Sequence, residues 1–203
     1  GSRLIPDAEC INSLPEQMRG AIRGLDLRGP VGLRGRTETL LSDSAHPDPS
    51  FACDMLLQLE GNRIGDVGPV HALRGELTLA GAKDERGLRL DGEIRLDSMH
   101  VDDLQLTGLR GPFRIRDEEL QLGAIAAAEN SKQKTDRLQP IQGRLFDGKL
   151  RVDGNVKLSD ASFNVRLGLA EAKLPVLLAE LGEGKSDLTG KLNVGMNLEG
   201  LLG

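Results

Sequence analysis

Residues 150 to 160 read "LRVDGNVKLSD", with Leu150, Val152, Val156 and Leu158 at even positions and Arg151, Asp153, Asn155 and Lys157 between them. Successive side chains of an extended strand point to opposite sides, so this stretch forms a strand with one apolar face and one charged face. Residues 88 to 98, "LRLDGEIRLDS", repeat it almost letter for letter, with Leu88, Leu90, Ile94 and Leu96 set against Arg89, Asp91, Glu93 and Arg95. Both copies carry a glycine at the fifth place, Gly92 and Gly154, where a bulge or bend fits. The chain is therefore internally repetitive, and whatever it folds into must find a cover for a wide apolar face.

The alternation runs on from Phe51 through "FACDMLLQLEG", "LRGELTLAG", "GLRLDGEIRLDS", "HVDDLQLTG", "LRGPFRIRD" and "EELQLG". Short joints containing Gly, Asp or Asn separate these runs, as antiparallel hairpins require. The segment "ENSKQKTDRLQ" (129 to 139) has no periodicity and is expected to be a mobile loop; "IQGRLFDGKLRVDGNVKL" and "SFNVRLGLA" then resume the strands, with Asp147-Gly148 as a hairpin turn. Two short helices are expected, one in "SLPEQMRGAI" with Ser13 as cap and Pro15 in the first turn, the other in "KLPVLLAELG" with Pro175 early and Gly182 as the stop. The ending mirrors the beginning: Leu14-Pro15 and Leu174-Pro175 open the helices, and "LRGPVGLRG" at 27 corresponds to "LTGKLNVGM" at 188. A repeat of about 160 residues thus begins again near the end. The expected fold is mainly β, an antiparallel amphipathic meander curled into a groove or taco-like sheet, with two short helices. The expected organisation is one β-rich segment, 1–203, cut from a longer repeat protein, with sub-units 1–60 and 61–203 as the alternative division.

Composition narrows the function. Charged residues of both signs make up 28 % and the net charge is −5, so there is no basic footprint for nucleic acid. Trp and Tyr are absent and only Phe51, Phe113, Phe146 and Phe163 supply rings, which leaves few platforms for stacking bases or sugars. The apolar content is aliphatic and dominated by Leu, which suits an ordinary core or a surface that receives alkyl chains. No apolar run approaches the roughly 20 residues of a membrane helix.

Residues capable of chemistry are sparse. Cys10 and Cys53 fit no zinc or redox spacing; they form one disulfide or remain buried thiols, and Cys53 shares the apolar parity of Phe51, Met55, Leu57 and Leu59. His46, His71 and His100 are scattered, without metal-site spacing. The acidic groups Asp102-Asp103 and Asp117-Glu118-Glu119 fall at hairpin ends, where solvated carboxylates are ordinary. No nucleophile elbow or phosphate loop is present, so the expectation is a protein without enzymatic activity, metal or cofactor.

Each inward Leu, Ile or Val left in water forfeits about 1.5–3 kcal/mol, and two short helices cannot cover the face. Either the sheet closes as a sandwich or solenoid with a dry core, acting as a structural or protein-interaction module, or it curls incompletely and its inner face holds acyl chains. The second reading assigns the working surface to Leu88, Leu90, Ile94, Leu96, Leu104, Leu106, Leu150, Val152, Val156, Leu158, Phe163, Val165 and Leu167.

The run "LTGLRGPFRIRDEELQLG" (106 to 123) followed by "IQGRLFDGKLRVDGNVKL", and later "GLAEAKLPVLLAELGEGKSDLTGKLNVGMNLEG", resembles the AsmA-like family of bacterial envelope proteins (AsmA/TamB type, in the bridge-like lipid-carrier group). The likeness covers about residues 70 to 200 and rests on alternation, glycines and turns. It implies a grooved β-sheet in the periplasm of a bacterium with two membranes. It further implies anchorage in the inner membrane through regions outside this chain, and a role in phospholipid transport and outer-membrane biogenesis beside other envelope proteins.

Overall fold

A computed structural model describes residues 3–4, 27–40, 50–64, 69–84, 87–123, 139–160, 162–180 and 188–201. The expected helix at 13–22, the loop at 129–138, Cys10 and His46 lie outside the described residues. The strands are β1 (Arg3–Leu4), β2 (Leu27–Arg28), β3 (Val31–Leu40), β4 (Ser50–Ile64), β5 (Val70–Asp84), β6 (Gly87–Val101), β7 (Leu104–Arg116) and β8 (Glu119–Leu122). They continue as β9 (Ile141–Leu145), β10 (Gly148–Lys157), β11 (Ser162–Lys173) and, after helix α1 (Leu174–Glu180), β12 (Lys191–Leu201).

All belong to one 12-stranded antiparallel sheet in the order β1-β3-β4-β5-β6-β7-β8-β10-β11-β12, with β2 beside β4 and β9 between β7 and β10. The mainly β, antiparallel expectation is met. The helix read in "KLPVLLAELG" is present as α1, spanning seven residues, none of them buried. It bridges β11 to β12, and its first amide, Leu174 N–H, donates to the Gly190 carbonyl at 3.1 Å.

Turn chemistry explains the joints. Phe146 and Asp147 have φ of 51° and 59°, so they form the two-residue loop between β9 and β10, and Gly148 is already the first residue of β10. The hairpin is thus centred one residue earlier than Asp147-Gly148. The run "HVDDLQLTG" is not one strand: Asp102 (φ 51°) and Asp103 turn the chain between β6 and β7, and "LQLTG" continues without a break into "LRGPFRIR". β8 and β9 fill one slot end to end, β8 pairing with β7 and β10 through Leu122 opposite Phe113 and Gly154, and β9 through Gln142 opposite Arg110 and Arg151. Gly123, at φ 71°, ends the first half, and a Cβ on it would stand 2.9 Å from the Ile141 nitrogen. The chain therefore leaves the sheet and re-enters it at one place.

Register aligns the apolar positions into rows. One row runs Leu59, Gly75, Leu96, Leu109, and another Met55, Leu79, Gly92, Phe113, Leu122, Gly154, Val165, Leu198. No register shift occurs at Gly92 or Gly154, so the expected bulges are absent there. Close approach is what these glycines supply: a Cβ on Gly92 would collide with the Phe113 ring and the Thr78 carbonyl, and one on Gly154 would come within 2.8 Å of the Val165 Cα.

The irregularities lie elsewhere, in a seam across the long strands. Register slips at Glu60/Asn62 on β4, at His71/Arg74 on β5, at Leu96/Ser98 on β6 opposite Gly75/Arg74, between Thr107 and Arg110 on β7, and at Leu169/Ala172 on β11. Gly61, Ala72, Gly108 and Glu171 all have positive φ at this level. Each bulge reverses side-chain parity and sharpens the local twist. On β7 the inward set changes from Leu109 and Phe113 to Leu106, on β6 from Leu96 to Met99, and on β11 from half-buried Leu169 to fully buried Ala172.

Asn62 fastens the seam at β4. It is 0 % exposed, its Nδ2 donates to the carbonyls of Arg28 (3.2 Å) and Pro30 (3.0 Å), and its Oδ1 accepts from Glu60 N–H at 2.9 Å. These bonds hold the Gly29 kink between β2 and β3 against β4.

Two stability tests follow from this geometry. Gly92→Ala is expected to destabilise by about 1–3 kcal/mol through overpacking, whereas Gly168→Ala, where the nearest atom is Arg151 Cβ at 4.0 Å, is expected to stay within about 0.5 kcal/mol of wild type in urea denaturation. Asn62→Ala strips the Glu60 amide and the Pro30 carbonyl of a buried partner and is expected to cost about 2–3 kcal/mol in the same assay.

Candidate functional site

The apolar face is built from the inward residues of ten-to-fifteen-residue strands held in register by the backbone ladder. Of the thirteen positions assigned from sequence, Leu88 (5 %), Leu90 (5 %), Leu96 (6 %), Leu150 (4 %) and Val156 (8 %) are buried. Ile94, Leu106 and Val152 are partly buried and pack against the same core as Leu96 and Leu150. Leu104, Leu158, Phe163, Val165 and Leu167 are half-buried. The structure adds Leu59, Leu73, Leu109 and Ile141 to the larger cluster, and Phe51, Cys53 and Met55 to a second one, with Leu57 packed against both. Parity within "FACDMLLQLEG" already marked Phe51, Cys53, Met55, Leu57 and Leu59; Leu109 and Phe113 were obscured because parity reverses at Gly108.

Exposure is graded across the sheet. Side chains in the middle strands are buried although, among the described residues, no second sheet and no helical layer lies over them. Towards the edges they open: Leu33 on β3 is 38 % exposed, Leu198 and Met196 on β12 are 43 % and 50 %. The aliphatic face is thus buried in the middle strands and more exposed on β3 and β12.

The opposite face is polar and paired across strands. Asp91 takes Arg114 Nε at 2.7 Å and Arg116 Nη2 at 2.9 Å, Arg166 meets Asp153 at 2.6 Å, and the Asn155 and Asn164 amides donate to Glu119 (3.2 Å) and Glu199 (2.7 Å). Partial burial pushes the Asp91 carboxyl upward, but the hydrogen bonds and charges of Arg114 and Arg116 together outweigh it and hold it below its ordinary value. A hollow of about 710 Å³ opens on this face along the seam, lined by Gln58, Glu60, Arg74, Glu76, Arg95, Asp97 and Arg110 among others. Its three guanidinium groups are matched by three carboxylates, so it presents no field of one sign.

His71 and His100, far apart in sequence, stand opposite one another on β5 and β6 with stacked rings 5.2 Å apart. Nothing in their spacing announced this, because cross-strand neighbours are set by register. Cys53 is a free, buried thiol whose pKa burial pushes up, which makes it a packing residue rather than a nucleophile. Asp117 accepts the Leu88 amide at 3.0 Å, a turn-capping role for one of the acidic clusters. Among the described residues no group of three or more His, Cys, Asp or Glu side chains is placed to hold a metal ion, and no helix is long and apolar enough to cross a membrane. The chain matches no protein-family model, no curated protein and no solved structure.

The depressed Asp91 pKa has a signed consequence. Its stabilisation is present above the ordinary carboxylate value and is lost as pH falls through the lower folded value. The carboxylate is half-exposed, so solvent screening limits the effect to about 1 kcal/mol or less. Asp91→Asn is therefore expected to lower denaturation stability near neutral pH, with the difference from wild type vanishing in acid; a difference that grows in acid contradicts this assignment.

Proposed function

We propose that this chain is a non-enzymatic lipid-binding segment, in which phospholipid or another acyl lipid lies along the apolar face in a groove formed by the curled sheet. The observation that carries the reading is the graded exposure of a single-layer sheet. Interior positions such as Leu88, Leu96 and Leu150 are covered, whereas Leu33, Met196 and Leu198 leave an aliphatic margin in solvent on both sides. Such a margin is unfavourable in water, and each acyl methylene placed against it contributes about 0.8 kcal/mol. The aliphatic character of the face suits flexible chains, and its paired charges lie on the other side.

The resemblance to the AsmA-like family extends the proposal to a place and a task. The segment would work in the periplasm as part of a protein anchored in the inner membrane outside this chain. It would serve outer-membrane biogenesis by binding or conducting lipid. In this reading the function resides in the parity of many side chains, and none acts alone.

The test is native mass spectrometry of the purified protein, with extraction and analysis of what it carries. Stoichiometric phospholipid is expected in the wild type and in Arg151→Glu, on the polar face. It is expected to be lost in Leu167→Asp, whose half-buried position allows the fold to persist, as a thermal melt would verify. A lipid-free mass that stays unchanged after incubation with phospholipid vesicles overturns the proposal and favours a closed module that binds proteins.

A further inference from the structure

Between β6 and β10 the polar face departs from the pairing of opposite charges. Register sets Arg95, Arg110, Gln142, Arg151, Gly168 and Gly195 in one cross-strand row. In the adjacent row Thr107, Arg144 and Lys149 stand side by side. Arg95 thus faces Arg110 and Arg144 faces Lys149, and like charges directly opposite one another are destabilising.

The carboxylates nearby are taken. Glu93 holds Arg95 at 2.7 Å and Glu171 holds Lys149 at 3.2 Å. Among the described residues Arg110, Arg144 and Arg151 form no ion pair and donate no side-chain hydrogen bond. Glu93 and Asp147, the acids that feel the charge of Arg110 and Arg144, are bound to Arg95 and to Lys173 (2.9 Å) instead. Arg110 stands on the rim of the seam hollow without pairing with the carboxylates there. This surplus of cations sits in a chain of net charge −5, so it is not the overflow of a basic protein.

The three guanidinium groups surround one amide. Gln142 lies directly between Arg110 and Arg151, which are two strand spacings or roughly 10 Å apart, and Arg144 follows two residues along β9 on the same face. All four residues are exposed. Beyond Arg151 the surface is low: a Cβ on Gly168 would meet only Arg151 Cβ, at 4.0 Å, and one on Gly195 nothing within 4 Å.

We propose that Arg110, Arg144 and Arg151, with Gln142 between them, form a binding site for a phosphate group. Guanidinium forks match phosphate oxygens bidentately and stay charged throughout the physiological range, and the Gln142 amide adds a neutral donor at the centre. The bound anion would relieve the repulsion between facing cations, and the glycine shelf leaves room for the rest of the ligand. An anionic phospholipid headgroup and a soluble phosphate compound both carry this chemistry. The site lies on the face opposite the aliphatic one, so it stands whether or not lipid binds there.

The probe is pyrophosphate, titrated calorimetrically into the 203-residue protein in phosphate-free buffer. Saturable binding is expected, weakened about tenfold or more by Arg110→Gln with Arg151→Gln and unchanged by Arg166→Gln, which removes a charge already matched by Asp153. Gln142→Glu puts a carboxylate among the three guanidinium groups; it is expected to abolish binding and to raise the melting temperature. Vesicles of phosphatidylcholine with and without phosphatidylglycerol distinguish the sources. Capture of the anionic vesicles alone, lost in the double variant, assigns a lipid headgroup, and pyrophosphate binding without capture assigns a soluble phosphate compound. Absence of saturable pyrophosphate binding, weakening by Arg166→Gln equal to that of the double variant, or undiminished binding by Gln142→Glu overturns the proposal.

Discussion

Among the described residues a single sheet carries one apolar face with no second layer over it, and the register of its strands decides which side chains share that face. The backbone ladder satisfies the amides, but it says nothing about the side chains standing above it. In register, Leu96 stands between Leu109 on β7 and Gly75 on β5. Gly75, between Leu59 and Leu96, shows how closely the strands approach: a Cβ there would come within 2.6 Å of the Leu96 Cα. Large and absent side chains therefore alternate across the strands, and Phe113 takes the space above Gly92.

The polar face answers to a different demand. Its cross-strand pairs, such as Asp91 with Arg114 and Arg116 or Asp153 with Arg166, each keep at least one partner open to solvent and contribute little stability individually. Their value is in register. A slip by one residue would turn every Leu outward and every Arg inward, and opposite charges placed directly across strands oppose that slip along with the apolar rows. The same balance of signs explains why the hollow at the seam, with its matched arginines and carboxylates, offers no strong attraction for a simple ion.

How much of this was legible in the sequence depends on the range of the information. Alternation is local, so the strands, their inward sets and the short helix after Lys173 could be read directly. Leu88, Leu90, Leu96, Leu150 and Val156 lie where parity put them. Register is not local. The stacking of His71 on His100, the joining of β8 and β9 into one slot and the burial of Asn62 arise from pairings between distant residues. The seam is intermediate. Gly61 and Gly108 mark it in the sequence, but Ala72 and Glu171 adopt positive φ without a glycine to signal it. Reading one parity through those points misplaces everything beyond them.

The seam also explains how long strands can share one apolar face. Strands of fifteen residues, as in β4, β5 and β6, accumulate twist, and a sheet of many such strands must coil or break its pairing. Bulges aligned at one level concentrate the bend on a line while leaving the ladder continuous on either side. Because parity reverses on that line, apolar residues beyond it, such as Val70, Met99 and Leu106, still turn to the same core as Leu96 and Leu109. A bulge on only one strand would send its far half to the wrong face. Their coincidence on β4, β5, β6, β7 and β11 is therefore what returns the apolar residues beyond the seam to one face.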